Sequence, residues 1–434
     1  MGWQIFFRLP TLPQSGEEYA NDTVISIIFV SMDAIRPLVE KLAQELAEEV
    51  ISLRRTIHAY PEIAFDEFKT SELIQQKLSQ WGIPYRANIA TTGVVALIEG
   101  VPSSHGPVIA LRADMDALPI AEESGKAYCS TRPGYMHACG HDAHTAMLLG
   151  TGKILNDLRN HFQGRVMLIF QPSEERHPGG ARIMLKEGIF QTLKPDLIFG
   201  QHVLPELETG TVGLCPGKYM ASTDEFYIRV MGQGGHGATP HLNIDPVVVA
   251  SEIVLALQTL VSRRAHPAMP TVISVGKMVA DGLANVIPDH VEMEGIIRTF
   301  DDAWRATLHD LLRETVSGIA QSHGATAEVT ISKGYPALYN DPAVTERVQR
   351  YAQQYFGDSR VKTLPQRMTA DDMAYFLKEV PGTYFRLGTG NREKGITANL
   401  HTARFDIDEE ALQQGVAFMA YLVLSEMSHR QTPH

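Results

Sequence analysis

The sequence predicts an α/β fold with a smaller α+β domain inserted in it. Apolar residues recur at three- and four-residue steps from Ile35 to Leu53, which is the spacing of an amphipathic helix. A second helix is predicted at about 67–81, where Gly82 ends it. Short apolar runs typical of buried strands follow, at residues 94–98, 108–111, 166–170 and 197–199. Helices that are followed by such strands indicate an α/β sheet with parallel strands.

The composition is that of an ordinary globular protein. Of the 434 residues, 44% are hydrophobic and 20% are charged, and this length predicts two or three domains. The net charge of −12 makes nucleic acid and anionic membranes poor partners. The three cysteines are odd in number and form no Cys-x-x-Cys pair, so we expect a reducing, cytoplasmic location.

The middle of the chain predicts the inserted domain. The α/β pattern breaks at about 217–223, and Tyr335-Pro336 marks the return to it. Two helices and four strands between these points indicate helices on one face of an antiparallel sheet. The predicted elements are strand 225–231, helix 246–263, strands 271–278 and 290–299, helix 303–323 and strand 327–331. The predicted domains are residues 32–217 and 334–434 for the α/β part and 218–333 for the insert.

The amino-terminal residues 1–31 are expected to be a poorly structured leader. Their apolar run, 24–30, has seven residues and follows the polar stretch 14–23, so it is far shorter than the ~20 residues of a membrane span. No other run approaches that length, and we expect no membrane partner. Met32 is our hypothesis for the native start, which peptides upstream of Met32 in protein from its natural source would refute.

A cluster of metal donors lies at residues 136–144. It places the thiol of Cys139 among the imidazoles of His137, His141 and His144. Thiolate and imidazole are donors that zinc and its first-row neighbours prefer. The alternative is a core cysteine beside surface histidines. Further donors downstream in the sequence would favour the metal site over this alternative.

Further donors follow the predicted strands. Asp114 and Asp116 come after the strand 108–111. Each later apolar run also leads into a segment that carries glutamate or histidine side chains. In a sheet with parallel strands, such ends gather along one edge. Five potential metal donors are more than one catalytic zinc needs, which predicts a two-metal centre. The segments contribute Cys139 and His141, one of the pair Glu174 and Glu175, His202, and His401.

The adjacent glutamates support a catalytic centre. One of the two carboxylates can bind metal while the other stays unligated beside the reacting water as general base. The alternative for Glu174 and Glu175 is a solvated surface pair. Their position after a buried type of strand favours the catalytic interpretation.

Four motifs resemble, in order and spacing, the amidohydrolase branch of the aminoacylase/carboxypeptidase metallopeptidase family. This branch includes hippurate hydrolases, auxin-conjugate hydrolases, N-acyl-amino-acid amidohydrolases and N-acetyldiaminopimelate deacetylases. The resemblance runs from about Ala34 to the carboxyl end. It implies a mixed-sheet dinuclear metallopeptidase catalytic domain with an inserted α+β sandwich dimerisation domain. The motifs are Met-His-Ala-Cys-Gly-His-Asp-Ala-His, Phe-Gln-Pro-Ser-Glu-Glu, Gly-Gln-His-Val and Leu-His-Thr.

The resemblance also implies roles for single residues. Glu174 matches the general base, and Asp116 matches an acid that orients the site. Asp114 stands where more distant members carry a metal-binding histidine, so we do not expect it to bind metal. Cys139 is expected to bridge two ions. The implied metal ligands are Cys139, His141, Glu175, His202 and His401.

The insert carries a glycine-rich run, 232–237, that matches Gly-x-Gly-x-x-Gly. A dinucleotide site needs a helix that opens at the third glycine, and the prolines at 240 and 246 delay any helix, so a dinucleotide-dependent oxidoreductase is a weak alternative. The resemblance implies that His236 reaches the active site of a neighbouring subunit and stabilises the oxyanion. It also implies that Asn285 and Arg298 bind the substrate carboxylate and that the protein is a homodimer.

We therefore predict a metal-dependent amidohydrolase that converts N-acyl or N-aroyl L-amino acids to a carboxylic acid and a free amino acid. The cofactors are expected to be two divalent ions per subunit, zinc, manganese, cobalt or nickel. Alternatives with the same chemistry are an N-acetyldiaminopimelate deacetylase and a small-peptide carboxypeptidase. A metal-binding protein without turnover is a further alternative, against which the unligated Glu174 argues.

Overall fold

The computed structural model describes residues 32–102 and 106–431. The leader predicted for residues 1–31 lies outside the described residues. The chain divides into two compact units, each described by itself below. The first unit contains the described residues up to Leu214, Ala343–Thr363, and those from Val380 onward. The second unit contains Cys215–Pro342 and Leu364–Glu379, and the domain boundaries proposed above stay a prediction.

The helices and strands are numbered in chain order. The helices are α1 (Met32–Ala59), α2 (Phe68–Gln80), α3 (His141–Asp157), α4 (Gly180–Lys186), α5 (Pro246–Thr259), α6 (Asp302–Ser322), α7 (Pro342–Phe356), α8 (Met373–Glu379) and α9 (Glu410–Gln431). The strands are β1 (Tyr85–Ile89), β2 (Gly93–Glu99), β3 (Val108–Asp114), β4 (Arg165–Gln171), β5 (Leu197–Glu208), β6 (Val212–Leu214), β7 (Gly217–Met220), β8 (Asp224–Met231), β9 (Gly235–His236), β10 (Thr271–Val279), β11 (Val286–Ile287), β12 (His290–Thr299), β13 (Thr326–Lys333), β14 (Leu338–Asn340), β15 (Val361–Thr363) and β16 (Gly382–Gly390).

The first unit is built on a mixed sheet of order β1-β2-β4-β3-β5-β16-β6-β15. Strands β4, β3, β5 and β16 run parallel to one another, whereas β2 and β6 pair antiparallel with β4 and β16. The parallel strand β3 is buried along its whole length, which explains its continuous apolar sequence. Helices α1, α3 and α9 pack together beside this sheet. The predicted α/β fold with a mixed sheet is confirmed.

Strand β5 is longer than its sequence pattern predicts. The pattern predicts a strand at 197–199 and places His202 in a loop, but the strand continues to Glu208. The reason is β16, which pairs in parallel with β5 from Ile198 to Leu204. His401 is also not directly after a strand, because β16 ends at Gly390, eleven residues earlier (401 − 390 = 11).

The second unit contains a four-stranded antiparallel sheet of order β10-β12-β8-β13, with α5 and α6 packed on it. Burial alternates along β8, so that Phe226, Ile228 and Val230 point into the core. The strands and helices predicted for the insert are confirmed, and their ends lie within two residues of the predicted ones when the π-helical turn Leu260–Arg264 is added to α5.

The glycine-rich run of the second unit forms no dinucleotide fingerprint. Its strand β9 pairs with β11, a 3-10 turn follows at Pro240–Leu242, and α5 begins only at Pro246. A Cβ atom on Gly232 would lie 2.1 Å from the carbonyl oxygen of Ile244. The glycines therefore serve close backbone packing in this unit.

One helix among the described residues, Pro246–Arg264, is long and apolar enough to cross a membrane by length and composition. Its side chains Val249, Ile253 and Leu257 are buried in the core of the second unit. A helix that packs in a protein core meets the same criteria, so this finding is weak support for a membrane span.

A buried group of charges joins four segments of the first unit. Arg54 of α1 contacts Asp142 at 2.7 Å and Asp406 at 2.9 Å. One turn later, His58 contacts Asp142 at 2.7 Å and Glu122 at 3.2 Å. Burial by itself would lower the pKa of His58, but the Asp142 and Glu122 carboxylates outweigh it and raise the pKa to about 9.

This raised pKa predicts a pH-dependent stability. Because the folded pKa lies above the unfolded value of about 6.5, charged His58 stabilises the fold fully below about pH 6.5, and that stability is lost as the pH rises through about 9. The difference is of the order of 3 kcal/mol. Urea unfolding of metal-stripped protein from pH 6 to about pH 10 measures it, and His58→Gln should remove this component. Equal pH dependence in both proteins would contradict the prediction.

Candidate metal centre

Cys139 lies at the centre of the predicted donors. Its Sγ is 3.4 Å from Nε2 of His202 and 3.3 Å from Nε2 of His401. The next residue, Gly140, has a φ of +84° and directly precedes α3, and a Cβ there would lie 2.4 Å from the Val203 side chain. Glycine is therefore required for the turn that brings Cys139 and α3 against β5.

The donor atoms form two groups that share this thiol. One group contains Cys139, His141 and His202, and the other contains Cys139, Glu175 and His401. Within each group the candidate ligand atoms all lie within 4.8 Å of one another. Two neighbouring donor groups with a common sulfur fit a pair of divalent ions, which Cys139, His141, Glu175, His202 and His401 would hold.

The imidazoles are oriented for metal binding. Nδ1 of His141 lies 2.8 Å from the carbonyl oxygen of Asp116, and Nδ1 of His202 lies 2.6 Å from that of Val203. Donation from Nδ1 selects the tautomer whose Nε2 lone pair faces the centre. Nε2 of His141 is buried and has no hydrogen-bond partner among the residues that the structure describes. These donors therefore fit a metal.

The electrostatics of the centre favour a cation. Hydrogen bonds that His401 donates to the Cys139 sulfur and to the Glu175 carboxylate raise the pKa of His401 to about 10. Burial and the nearby Glu175 carboxylate raise the pKa of the Cys139 thiol. A divalent cation reverses this effect, because a thiol that coordinates metal is deprotonated.

Asp116 holds the segment that carries the two glutamates. Its Oδ1 accepts the backbone N–H of Glu174 at 2.9 Å, and its Oδ2 accepts that of Glu175 at 3.0 Å. Glu174 is buried, and one of its carboxylate oxygens belongs to a donor group with His141 and Glu175. The candidate general base thus lies beside the candidate metal ligands.

His144 of the sequence cluster and Asp114, which ends β3, have structural contacts. Asp114 accepts a hydrogen bond from Nδ1 of His144 at 2.6 Å and contacts Arg112 at 2.7 Å. Nε2 of His144 accepts the backbone N–H of Val203 at 2.9 Å. Both nitrogens of His144 are therefore used, and this side chain holds β5 in place next to His202.

The residues implied for the insert lie in two places of the second unit. His236 pairs with Val286, which follows Asn285, and both His236 and Asn285 are exposed. Arg298 lies on β12, eight positions beyond His290, a distance of about 27 Å along a strand. The sheet pairs His290 with the strand that leads to β9. One chain therefore does not bring these three side chains together.

Glu67 was not recognised as a functional residue from the sequence. Its buried carboxylate accepts the backbone N–H of Ser173 at 2.8 Å and the hydroxyl of Thr92 at 2.6 Å. Burial and the charge of Asp116 raise its pKa to about 7. No local pattern signals this role, because the residue directly precedes α2 and has the sequence context of a helix start.

A sequence model described as peptidase family M20/M25/M40 matches residues 110–425. This match covers well over half of the chain. The chain belongs to the M20/M25/M40 peptidase family. The resemblance to the metallopeptidase family, inferred from four motifs, is thereby confirmed, and the protein is a hydrolase of this family.

Individual M20 proteins are similar over most of the chain. An N-acyl-L-amino acid amidohydrolase of Geobacillus stearothermophilus is 42% identical over 302 residues, which cover 70% of this chain and 80% of the relative. Thermostable carboxypeptidase 1 of Saccharolobus solfataricus is 38% identical and covers 89% and 98%. The crystal structure of the Bacillus subtilis protein YXEP, described as a dinuclear metal-binding peptidase, has a TM-score of 0.76 at 34% identity and covers 89% and 99%.

The shared thiol of this M20 centre predicts a metal-binding defect. We expect Cys139→Ser to reduce the metal content from about two ions per chain to below one, because both donor groups lose a ligand. Metal analysis after dialysis measures this. Cys215→Ser removes a buried thiol of the second unit and should leave the metal content unchanged. Two ions retained by Cys139→Ser would refute the shared ligand.

Proposed function

We propose that this M20 hydrolase cleaves the amide bond of N-acyl or N-aroyl L-amino acids and releases a carboxylic acid and a free amino acid. The observation that carries the proposal is the buried carboxylate of Glu174 beside two donor groups that share Cys139. A buried carboxylate is costly, and simple metal storage has no need of one beside the ligands. Hydrolysis needs a general base at this position, which accounts for the buried carboxylate.

Two divalent ions would be held by Cys139, His141, Glu175, His202 and His401. When bound, they lower the pKa of water from 15.7 towards about 7 and so supply hydroxide at neutral pH. The thiolate favours zinc, and the imidazoles and the carboxylate also suit manganese, cobalt or nickel. The identity of the ions is part of this proposal.

The protein's own groups then move the proton. Glu174 accepts a proton from the water as it attacks the acyl carbon, and it returns this proton to the leaving nitrogen. Asp116 keeps Glu174 and Glu175 in a fixed relation through their backbone amides. His236 would donate a hydrogen bond to the oxyanion, and Asn285 and Arg298 would bind the substrate carboxylate.

A small peptide is the second candidate substrate. The 38% identical thermostable carboxypeptidase favours it, since a peptide and an N-acyl amino acid both present an amide next to a free carboxylate. Deacetylation of N-acetyldiaminopimelate uses the same bond chemistry. These candidates differ in the acyl group and the amino acid, which a substrate panel distinguishes.

The substrate panel tests the proposal. Metal-stripped protein is reloaded separately with zinc, manganese, cobalt or nickel, and release of free amino acid is measured. The substrates are N-acetyl, N-benzoyl and indoleacetyl amino acids, N-acetyldiaminopimelate and dipeptides. We expect metal-dependent release, fastest from an N-acyl or N-aroyl amino acid. Fastest release from dipeptides would favour the carboxypeptidase, and no release by metal-loaded protein would contradict hydrolysis of these amides.

Glu174→Gln should separate catalysis from metal binding. We expect turnover to fall more than about 100-fold, because the general base is lost, while the metal content stays at the wild-type value. Glu99→Gln, which changes an exposed acid at the end of β2, is the matched control and should keep full turnover. An active Glu174→Gln enzyme would contradict the assigned base.

A second copy of the chain is the proposed partner, and a reducing, cytoplasmic location is proposed with it. The support for a homodimer is the apolar surface of the second unit. On α5, Val248 is 56% exposed and Leu255 is 72% exposed. Within the described residues β10 pairs only with β12, and Met278 and Val279 on it are exposed. An apolar helix face beside a free strand edge fits a symmetric contact between two copies.

Complementation tests whether His236 acts across this dimer. Glu174→Ala and His236→Ala are each expected to be nearly inactive. After mixing and subunit exchange, about a quarter of wild-type activity should return, because half of the dimers are mixed and each has one complete site. No recovery in mixed dimers, verified by two affinity tags, would place His236 in its own subunit's site. Leu255→Glu should prevent recovery by separating the subunits.

A further inference from the structure

The segment before the two glutamates has an unusual backbone conformation. Ser173 has a φ of +50°, which is uncommon for a residue with a side chain. Its carbonyl oxygen accepts the N–H of Gly180 at 3.0 Å, and its N–H donates to Glu67 at 2.8 Å. Such a conformation costs of the order of 1–3 kcal/mol and persists only where surrounding contacts impose it.

Two carboxylates hold three successive amides of this segment. Glu67 accepts the N–H of Ser173, and Asp116 accepts those of Glu174 and Glu175. Without these two carboxylates, three backbone N–H groups of this segment would lose their hydrogen-bond acceptors, which is costly where they are buried. The direction in which the two glutamate side chains leave the backbone is therefore set by Glu67 and Asp116 together.

Glu67 is itself held in a fixed position. Its second oxygen accepts the hydroxyl of Thr92 at 2.6 Å. Nearby, the Glu62 carbonyl accepts the N–H of Ala117 at 2.7 Å, which connects the segment before α2 to the residue after Asp116. The two carboxylates are therefore built on connected parts of the backbone, and their relative position is determined by the fold.

Helix capping does not explain Glu67. Its side chain makes no capping hydrogen bond to α2, whereas Glu62 accepts the N–H groups of Lys69 and Thr70 in that helix. Glu67 is fully buried close to Asp116, and both burial and that charge disfavour its ionised form. Burial of the Glu67 carboxylate is costly, and the contacts that it gains there are those to Ser173 and Thr92.

We propose that Glu67 is a positioning residue for the reaction, which aims the Glu174 and Glu175 carboxylates by holding the amide of Ser173. The proposal rests on the proposed function, since it assigns Glu174 as base and Glu175 as metal ligand. Glu67 touches neither substrate nor metal. Its effect passes through the backbone of residues 173–175.

Three variants of Glu67 separate the effect of side-chain length from the effect of charge. Glu67→Gln keeps an oxygen for the Ser173 N–H and an amide for Thr92, Glu67→Asp keeps the charge but is one methylene shorter, and Glu67→Ala removes both contacts. With saturating metal, we expect Ala and Asp to lower kcat by about 10–100-fold with KM changed by less than about threefold. Glu67→Gln should stay within about threefold of wild type in both constants.

Cobalt binding gives a readout besides activity. Cobalt is titrated into each metal-stripped variant, and absorption from the Cys139 thiolate reports occupancy. Glu67→Ala should weaken cobalt binding by about tenfold or more, because Glu175 is no longer aimed, and Glu67→Gln should not. Glu62→Ala is the matched control, since it removes a buried acid of the same segment that caps α2. It should lower the unfolding temperature but leave kcat and cobalt affinity unchanged.

The outcomes decide between positioning and other roles. Wild-type kcat and cobalt affinity in Glu67→Ala would overturn the proposal, as would equal losses in Glu67→Ala and Glu62→Ala. A Glu67→Gln enzyme as impaired as Glu67→Asp, although it keeps an oxygen for the Ser173 N–H, would show that this contact does not set the activity, which also overturns the proposal. If Glu67→Ala does not fold, the Gln and Asp pair still decides. If wild-type protein hydrolyses no substrate of the panel, the proposed function fails, and the cobalt titrations still test the positioning of Glu175.

Discussion

The candidate metal centre depends on the hydrogen bonds that the carboxylate of Asp116 accepts. This carboxylate accepts the backbone amides of Glu174 and Glu175, and the carbonyl oxygen of the same residue lies next to Nδ1 of His141. One residue thus sets the relation between the candidate base and two candidate ligands. Asp116 lies two residues after the end of β3, a central strand that is buried along its whole length, so this relation is built next to the core of the first unit.

Buried charges assemble the rest of the centre from distant parts of the chain. Cys139 and His401 are 262 positions apart in sequence, yet their side chains lie 3.3 Å apart. Arg54 contributes to this closure, because it contacts Asp142, next to His141, and Asp406 of the segment that carries His401. Removing one partner of such a buried pair leaves an uncompensated charge, which is strongly destabilising. Folding of the first unit and formation of its metal centre are therefore coupled.

In the proposed function the second unit contributes recognition groups, and one chain does not gather them into a single site of its own. His236 and Asn285 are neighbours on exposed backbone, whereas Arg298 lies far along β12. A free strand edge and an apolar helix face in the same unit provide the surface for the proposed second copy. In the proposed function, active sites are completed by both chains, so assembly and catalysis depend on one another.

The sequence by itself determined the α/β class, the elements of the insert and the identity of the candidate donors. These follow from local patterns, such as the periodicity from Ile35 to Leu53 and the donor spacing at 136–144. Tertiary structure decided the extension of β5 through His202, because that strand depends on pairing with β16. It also decided the buried contacts of Glu67 and Arg54, whose partners are about a hundred or several hundred positions away. Local periodicity carries no signal for such contacts, since only the folded chain brings these groups together.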